Sequence, residues 1–589
     1  MDYRSGLSAS WLRAVFFLAM LFQGSAHASI EATRAISIAL EIELQLKEWL
    51  QNPQLAERHT LQEQGNVHAF YLSRNYLPAW HNQSRLLLQA DDFIRFANEA
   101  HLHGISTAGL HLDTIAKLRD KATDFDRARL DILLTDAFMT LSLQAAQGKL
   151  NPLEIDEQWH YQRPEVDVVS LLTNALTTAD VAASLQSLLP RNNSYLQLVA
   201  ALAFYRELAQ KGSWPQLATQ GPVLKYGMNN DEVVKLRQRL RLGGELAVDV
   251  AEPAFFDDRL EKAVKHFQKR HGLAVDGVVG RNTRAALNTP IEQRIQQIML
   301  NLERWRWLPR KLGERHIRID LAGFRLQVHD KDTVPLSMRV IVGKDSRKTP
   351  AFSSNMYHLM FNPYWNVPDV IAIEDMLPKI KRNPEYLARN QIRVIKGYGQ
   401  KEQELDYRSI DWSLFEDVTD LPFRFRQDPG AINSMGRIKF MLPNPFEINL
   451  HDTPSKHLFN RSMRAYSSGC IRVEDPIALA KYVMGDKWQQ SDIQKILDGK
   501  QNQIHHLPEP IPVHMLYQTA WVDQDGTVQF RKDVYHKDKL LLAALHKAGT
   551  PVNARNENNT GDELEVLGYW NKPAVNETLT QRRVTETQM

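Results

Sequence analysis

The apolar residues of this chain change period once, and that change constrains its fold more than any other feature. Through Leu308 they recur at helical spacing: Ile36, Leu40 and Leu44 near the start, and Ile291, Ile295, Ile298, Leu302 and Trp305 at the end of the stretch. Pro309 stops the last helix. From Arg315 the period is two. Residues 316–321 and 324–328 flank the Ala322-Gly323 turn, and 337–342, 356–362, 437–441 and 447–450 continue the pattern. Helices followed by strands over 589 residues predict a multidomain α+β protein.

Within the helical half, residues 91–100 and 128–146 read as helices, the latter amphipathic, and residues 66–80 break the pattern with Asn75-Tyr-Leu-Pro-Ala-Trp80. His101, His103 and His111 lack an acidic or Cys partner at ligand spacing and read as structural. Residues 224–287 form a separate module with helices at 231–242 and 257–271. The turn Asp276-Gly277-Val-Val-Gly280-Arg-Asn-Thr283 follows, with Thr283 expected where a short third helix begins. Trp305 and Trp307 sit at the junction with the strand-rich half and are expected to pack there.

In that half the strands are expected to stop between Pro368 and Met435, leaving helical pieces at 376–382 and from Glu385, with loop around Trp412, Phe415 and Pro422. An insertion of this length is usually functional or disordered, and its aromatics argue for order. Residues 512–522 and 526–530 read as a hairpin, followed by a helix at 539–547. The polar segment from Asn553 to Met589 is expected to be disordered.

At the N-terminus Arg4 and Arg13 precede the apolar run 14–22, and Ala26-His27-Ala28 follows. This is the layout of a secretory signal with cleavage after Ala28; an uncleaved anchor would attach the chain to the membrane. A net charge of +3 spread over the chain excludes a nucleic-acid binder.

Cys470 is the only cysteine, so no intrachain disulfide can form in an oxidising compartment. It lies in Tyr466-Ser467-Ser468-Gly469-Cys470-Ile471-Arg472-Val473. His451 ends the apolar run 446–450 upstream. A lone thiol near a cation, with a histidine delivered by a strand, fits a thiolate nucleophile and its base. Asp475-Pro476 caps a following helix that Gly485 ends.

His451 with Ser467-Ser468-Gly469-Cys470-Ile471-Arg472-Val473 resembles the catalytic signature of the L,D-transpeptidase (YkuD-type) family, which usually reads Ser/Thr-His-Gly-Cys. Ser468 stands where most members have a second His. The large form of the family resembles this chain from about residue 30 to about residue 545. The resemblance implies a signal peptide (1–28), a helical scaffold domain (29–215), a three-helix peptidoglycan-binding domain (216–290) and a β-sandwich-like catalytic domain (291–498). A cap insertion (369–434), a packed C-terminal hairpin and helix (499–549) and a polar tail (550–589) complete it.

It further implies L,D-transpeptidation in the periplasm. Cys470 attacks a tetrapeptide stem, D-Ala leaves, and a stem amine resolves the thioester as a 3→3 cross-link. His451 would be general base and then acid, oriented through the backbone carbonyl of Asp452, because the Asp452 side chain points to the opposite face. Gly469 and Cys470 N–H groups would form the oxyanion hole. Arg472 would hold substrate or pair with Glu474 or Asp475; Ser468 and Tyr466 would line the site; His457 would lie at the rim. No metal or organic cofactor is required. Peptidoglycan is the expected partner, carbapenems the expected inhibitors, and other wall-synthesis enzymes further partners. The same residues suit an L,D-carboxypeptidase or a wall-to-protein transpeptidase; the rival of another class is a non-catalytic peptidoglycan-binding scaffold. A zinc peptidase lacks a compact ligand set here.

Overall fold

The computed structural model describes residues 26–51, 61–82, 85–247, 252–415, 418–485 and 487–549. The expected signal segment, apart from its last residues, and the polar tail lie outside the described residues. Mixed helix and sheet in successive regions make the protein multidomain α+β.

The N-terminal bundle is built around the helix Asp124–Gln147, with the helices Ala26–Gln51, Gln64–Ser73, Val168–Thr177 and Val181–Leu188 packed on it. It is not amphipathic as expected: most of its residues are buried, because neighbours cover it on several sides. The expected break at 66–80 begins only after Ser73, where Asn75 and Tyr76 adopt positive φ. Asp131, buried in the central helix, holds that break. Its carboxylate accepts from Tyr71 Oη at 2.7 Å and from the Ala79 and Trp80 amides at 2.7 and 2.9 Å. A buried carboxylate is tolerable when its lone pairs are filled in this way. The next helix, Leu88–Glu99, starts earlier than the Asp91-Asp92 pair predicts. His101 bonds the Asn98 carbonyl, His103 stacks on Tyr195, and His111 pairs with Asp136.

The three-helix module comprises Asp231–Leu242, Asp258–Arg270 and Arg281–Leu287. Its Asp-Gly turn is fixed from within. Gln268 Nε2 donates to Asp276 Oδ1 at 2.8 Å, and the Gly277 amide donates to Gln268 Oε1 at 2.9 Å. Gly277 has φ +75°, a conformation that favours glycine. Thr283 does not begin the third helix; Gly280 precedes its first turn, and Thr283 Oγ1 is buried against Gln268 Nε2 at 3.2 Å.

The helix Ile291–Arg306 joins the regions. Arg306 donates to the His103 carbonyl at 2.9 Å on one side, and Asn301 donates to Thr519 Oγ1 at 2.9 Å on the other. Trp305 and Trp307 are buried in the core shared with the sheet.

The sheet of the C-terminal domain closes on itself. Its hydrogen-bonded order runs Ile438–Met441, Leu450–His451, Ile471–Val473, Thr333–Gly343, Arg325–Asp330, Arg315–Asp320, Gln503–Leu516 and Ala351–Phe361, which pairs again with Ile438–Met441. Residues 512–516 belong to this ring rather than to the expected hairpin, which is Ala520–Val522 with Val528–Phe530. Trp159–His160 of the N-terminal region adds to the ring beside Ala351–Phe361.

Strands do not stop in the insertion. Trp365–Asn366, Ile392–Lys396, Gln403–Leu405 and Arg424–Gln427 form a separate four-stranded sheet. Ile380, Leu387, Val394, Trp412 and Phe425 are buried in its own core. These strands are short and interrupted by turns, so period two is too brief to register in the sequence.

Candidate active site

The three central strands of the site are short and held in exact register. Ile438–Met441 runs antiparallel to Leu450–His451, which runs parallel to Ile471–Val473. Lys439 lies opposite His451, and His451 lies opposite Arg472. Directly opposed residues share a face. Phe440, Leu450 and Ile471 occupy the other face and are fully buried in the core. Lys439, His451 and Arg472 therefore form one row on the face away from that core, and Cys470, two residues before Arg472, shares its parity.

The expected strand 446–450 is shorter than its alternation predicts. Glu447 has φ +55°, and only Leu450 and His451 enter the ladder. The resulting corner points Glu447 O at the thiol: Cys470 Sγ donates to it at 3.6 Å. The thiol is half-buried, and burial pushes its pKa up, against the backbone N–H of Asn449, Lys439 and Arg472, which favour the thiolate. His451 is buried, and burial followed by the charge of Arg472 pushes its imidazole down to about 3. The imidazole is thus neutral at physiological pH. Its Nδ1 lies 2.5 Å from the Asp452 carbonyl oxygen, to which it donates, leaving Nε2 as the basic nitrogen. The Asp452 carboxylate is engaged elsewhere, accepting from the Arg437 amide at 2.9 Å and pairing with Lys456 at 2.7 Å. Among the described residues no hydrogen bond joins His451 to Cys470.

Gly469 has φ +118°, open to glycine alone in practice. Its amide donates to Ser467 Oγ at 3.2 Å, while its carbonyl accepts from Thr349 Oγ1 at 2.6 Å. The Cys470 amide has no acceptor among the described residues. Of the two expected oxyanion donors, one is therefore occupied internally and the other is free. Arg472 pairs with neither Glu474 nor Asp475. Glu474 binds Arg339, and Asp475 accepts from the Ala478 amide at 2.9 Å. Among the described residues Arg472 Nε is buried without a partner. Ser468 Oγ accepts from Arg347 Nη1 at 3.0 Å. Tyr466 is exposed on the short strand Ala465–Ser467, and His457 is exposed on the turn Lys456–Asn460.

Residues 314–553 match the YkuD family, described as the L,D-transpeptidase catalytic domain. Residues 229–287 match a peptidoglycan binding domain and residues 65–202 a scaffold domain. A Haemophilus influenzae protein provisionally named an L,D-transpeptidase is 33% identical over 250 residues. That match spans 42% of this chain and 49% of the relative, about half its length. A solved L,D-transpeptidase from Xylanimonas cellulosilytica aligns at 16% identity over 50% of this chain and 98% of its own, with a TM-score of 0.16. One from Stackebrandtia nassauensis aligns at 12% identity over 51% and 96%, with a TM-score of 0.21.

Three residues of the C-terminal domain whose contacts the sequence does not signal meet the site. Lys439 reads in sequence as the polar position of an ordinary alternating strand; only the register sets it beside His451. Thr349 precedes a proline in a loop, and nothing in that dipeptide marks it for contact with Gly469. Arg347 joins the Cys470 loop to the insertion, donating to Ser468 and pairing with Glu374 and, at 2.6 Å, Asp375.

Proposed function

We propose that the chain is a peptidoglycan L,D-transpeptidase acting through a Cys470 thioester and forming 3→3 cross-links. The observation that carries this reading is the sole thiol of the chain, set on the same sheet face as His451 beside an unoccupied Cys470 amide. Substrate entry would replace the Glu447 contact of the thiol with His451 Nε2, since catalytic contacts often tighten only in the substrate complex. His451 takes the thiol proton as Sγ attacks the carbonyl of the third stem residue. The Cys470 amide donates to the developing oxyanion. The C–N bond breaks, and the proton passes to the departing D-Ala amine, leaving the thioester. A neighbouring stem amine attacks next; His451 accepts its proton and returns it to sulfur as the C–S bond breaks.

The binding module would hold the glycan, and the insertion would cover the thioester and favour amine over water. The chain would reach the periplasm through its N-terminal signal. No helix of the described residues is long and apolar enough to cross a membrane. The test is muropeptide mass spectrometry with purified full-length protein and disaccharide-tetrapeptide. A 3→3 dimer with loss of D-Ala is expected. Tripeptide alone would show that water is the acceptor, and an unchanged tetrapeptide would overturn the reading.

A further inference from the structure

The row Lys439–His451–Arg472 places two cations on one sheet face, one on each side of a neutral imidazole. Both act on the Cys470 thiol and both on His451. Neither forms an ion pair with a carboxylate among the described residues, although Glu447 lies close enough to act on Lys439. Arg472 Nε is buried with no acceptor among the described residues. Lys439 is half-buried and its ammonium is disfavoured there, with burial the main cause. Unpaired cations at partly buried positions are destabilising, and nearby carboxylates normally neutralise them. Glu474, Asp475 and Asp452 are near in sequence, yet each is committed to another partner. The site is built positive and left so.

An ionised sulfur and the nearby Glu447 carboxylate supply the negative charge here, yet neither cation is held in an ion pair by a carboxylate among the described residues, so both remain available to an incoming one. We propose that Lys439 and Arg472 form a two-cation site beside the thiol that binds a carboxylate of the acyl donor. The carboxylate is either the C-terminal group of the leaving residue or a side-chain group of the stem. This deepens the transpeptidase reading and rests on it for the identity of the donor. The site makes donor choice depend on charge: a stem whose carboxylate is amidated or extended away presents nothing to Lys439.

The test separates the site from the reaction. Cys470 is the only thiol, so alkylation of the full-length protein reports on it alone. Iodoacetate and iodoacetamide both require the thiolate, so the ratio of their rates cancels its abundance and reads the local field. The wild-type ratio should exceed that of free cysteine by fivefold or more and fall as salt rises. Lys439→Gln should lower it at least threefold, and Lys439→Arg should restore it. A wild-type ratio equal to that of free cysteine and indifferent to salt overturns the site without any variant. A Lys439→Gln protein that slows both reagents equally also overturns it, making Lys439 a thiolate stabiliser only.

With tetrapeptide donors, amidating the C-terminus and amidating a side-chain carboxylate in separate substrates identifies the source. The correct amide should raise KM about tenfold in the wild type, and Lys439→Gln should erase that difference. Wild-type protein that turns over no donor overturns the transpeptidase reading, while the alkylation ratio still decides the two-cation site.

Discussion

Thr349 Oγ1 donates to the carbonyl of Gly469 at 2.6 Å and accepts from the Gly343 amide at 2.9 Å. The Gly469 carbonyl and the Cys470 N–H belong to one trans peptide unit, so they point in opposite directions. Pinning the carbonyl to Thr349 therefore aims the free amide away from Thr349. Behind Thr349, Tyr535 Oη donates to the Gly343 carbonyl at 2.6 Å. The C-terminal segment thus braces the loop that carries Cys470.

Thr349→Val keeps the shape and removes the hydroxyl. It should release the peptide plane and lower kcat for acylation about ten- to hundredfold, short of the full loss of an oxyanion donor. KM should change little, and Thr349→Ser should restore most of the rate. A Thr349→Val enzyme with unchanged kcat would show that the Gly469 peptide holds its orientation without this bond.

Cys470→Ala should abolish acylation without unfolding the protein, because a small residue replaces a half-buried small one. The midpoint of unfolding should move by no more than about 1 kcal/mol equivalent. Intact-mass analysis after carbapenem treatment should show one adduct on wild type and none on Cys470→Ala. An adduct that persists in the variant would place the reaction at another nucleophile.

The sequence pattern carried the larger divisions and failed where contacts depend on register or on short elements. The period change at Arg315 separated helices from strands because each side holds long runs. The Asp475-Pro476 cap and Gly485 end were readable because capping is local; the helix Pro476–Met484 has those ends. Lys439 was not readable, since its role follows from sitting opposite His451 across a strand pair. The enclosure of the helix Asp124–Gln147 on several sides is not legible in the sequence, because periodicity cannot reveal how many neighbours surround a helix. The sheet inside the insertion was missed because its strands have only two to five residues.

The pH response follows from the directions of the shifts at the site. His451 titrates in the folded state near 3, against an unfolded value of about 6.5. Its neutral burial contributes stability that is full above about 6.5 and is lost as pH falls toward 3. The Cys470 thiol is shifted upward. The rate of iodoacetamide alkylation should therefore climb through the alkaline range, with no step between pH 6 and 7. A clear inflection near 6.5 would mean that an imidazolium accompanies the thiolate at rest, contrary to this geometry.

The last prediction concerns Arg347. Its side chain is mostly buried and reaches three groups: Ser468 on the Cys470 loop, and Glu374 and Asp375 on the insertion. The insertion has its own apolar core, so it does not depend on Arg347 to fold. The cluster ties the insertion to the loop beside the thiol. Exposed ion pairs are weak, but a guanidinium shielded from water and shared by two carboxylates and a hydroxyl fixes geometry more firmly. Arg347→Gln should loosen the cover while leaving Cys470 in place. Acylation by a small β-lactam should stay within about twofold of wild type. The thioester, more open to solvent, should then partition toward water, lowering the ratio of cross-linked dimer to tripeptide about three- to tenfold. Ser468→Ala removes one of the three contacts and should produce a smaller change in the same direction. If Arg347→Gln folds normally and that ratio does not move, the contact is a passive surface pairing and the insertion does not control the acceptor.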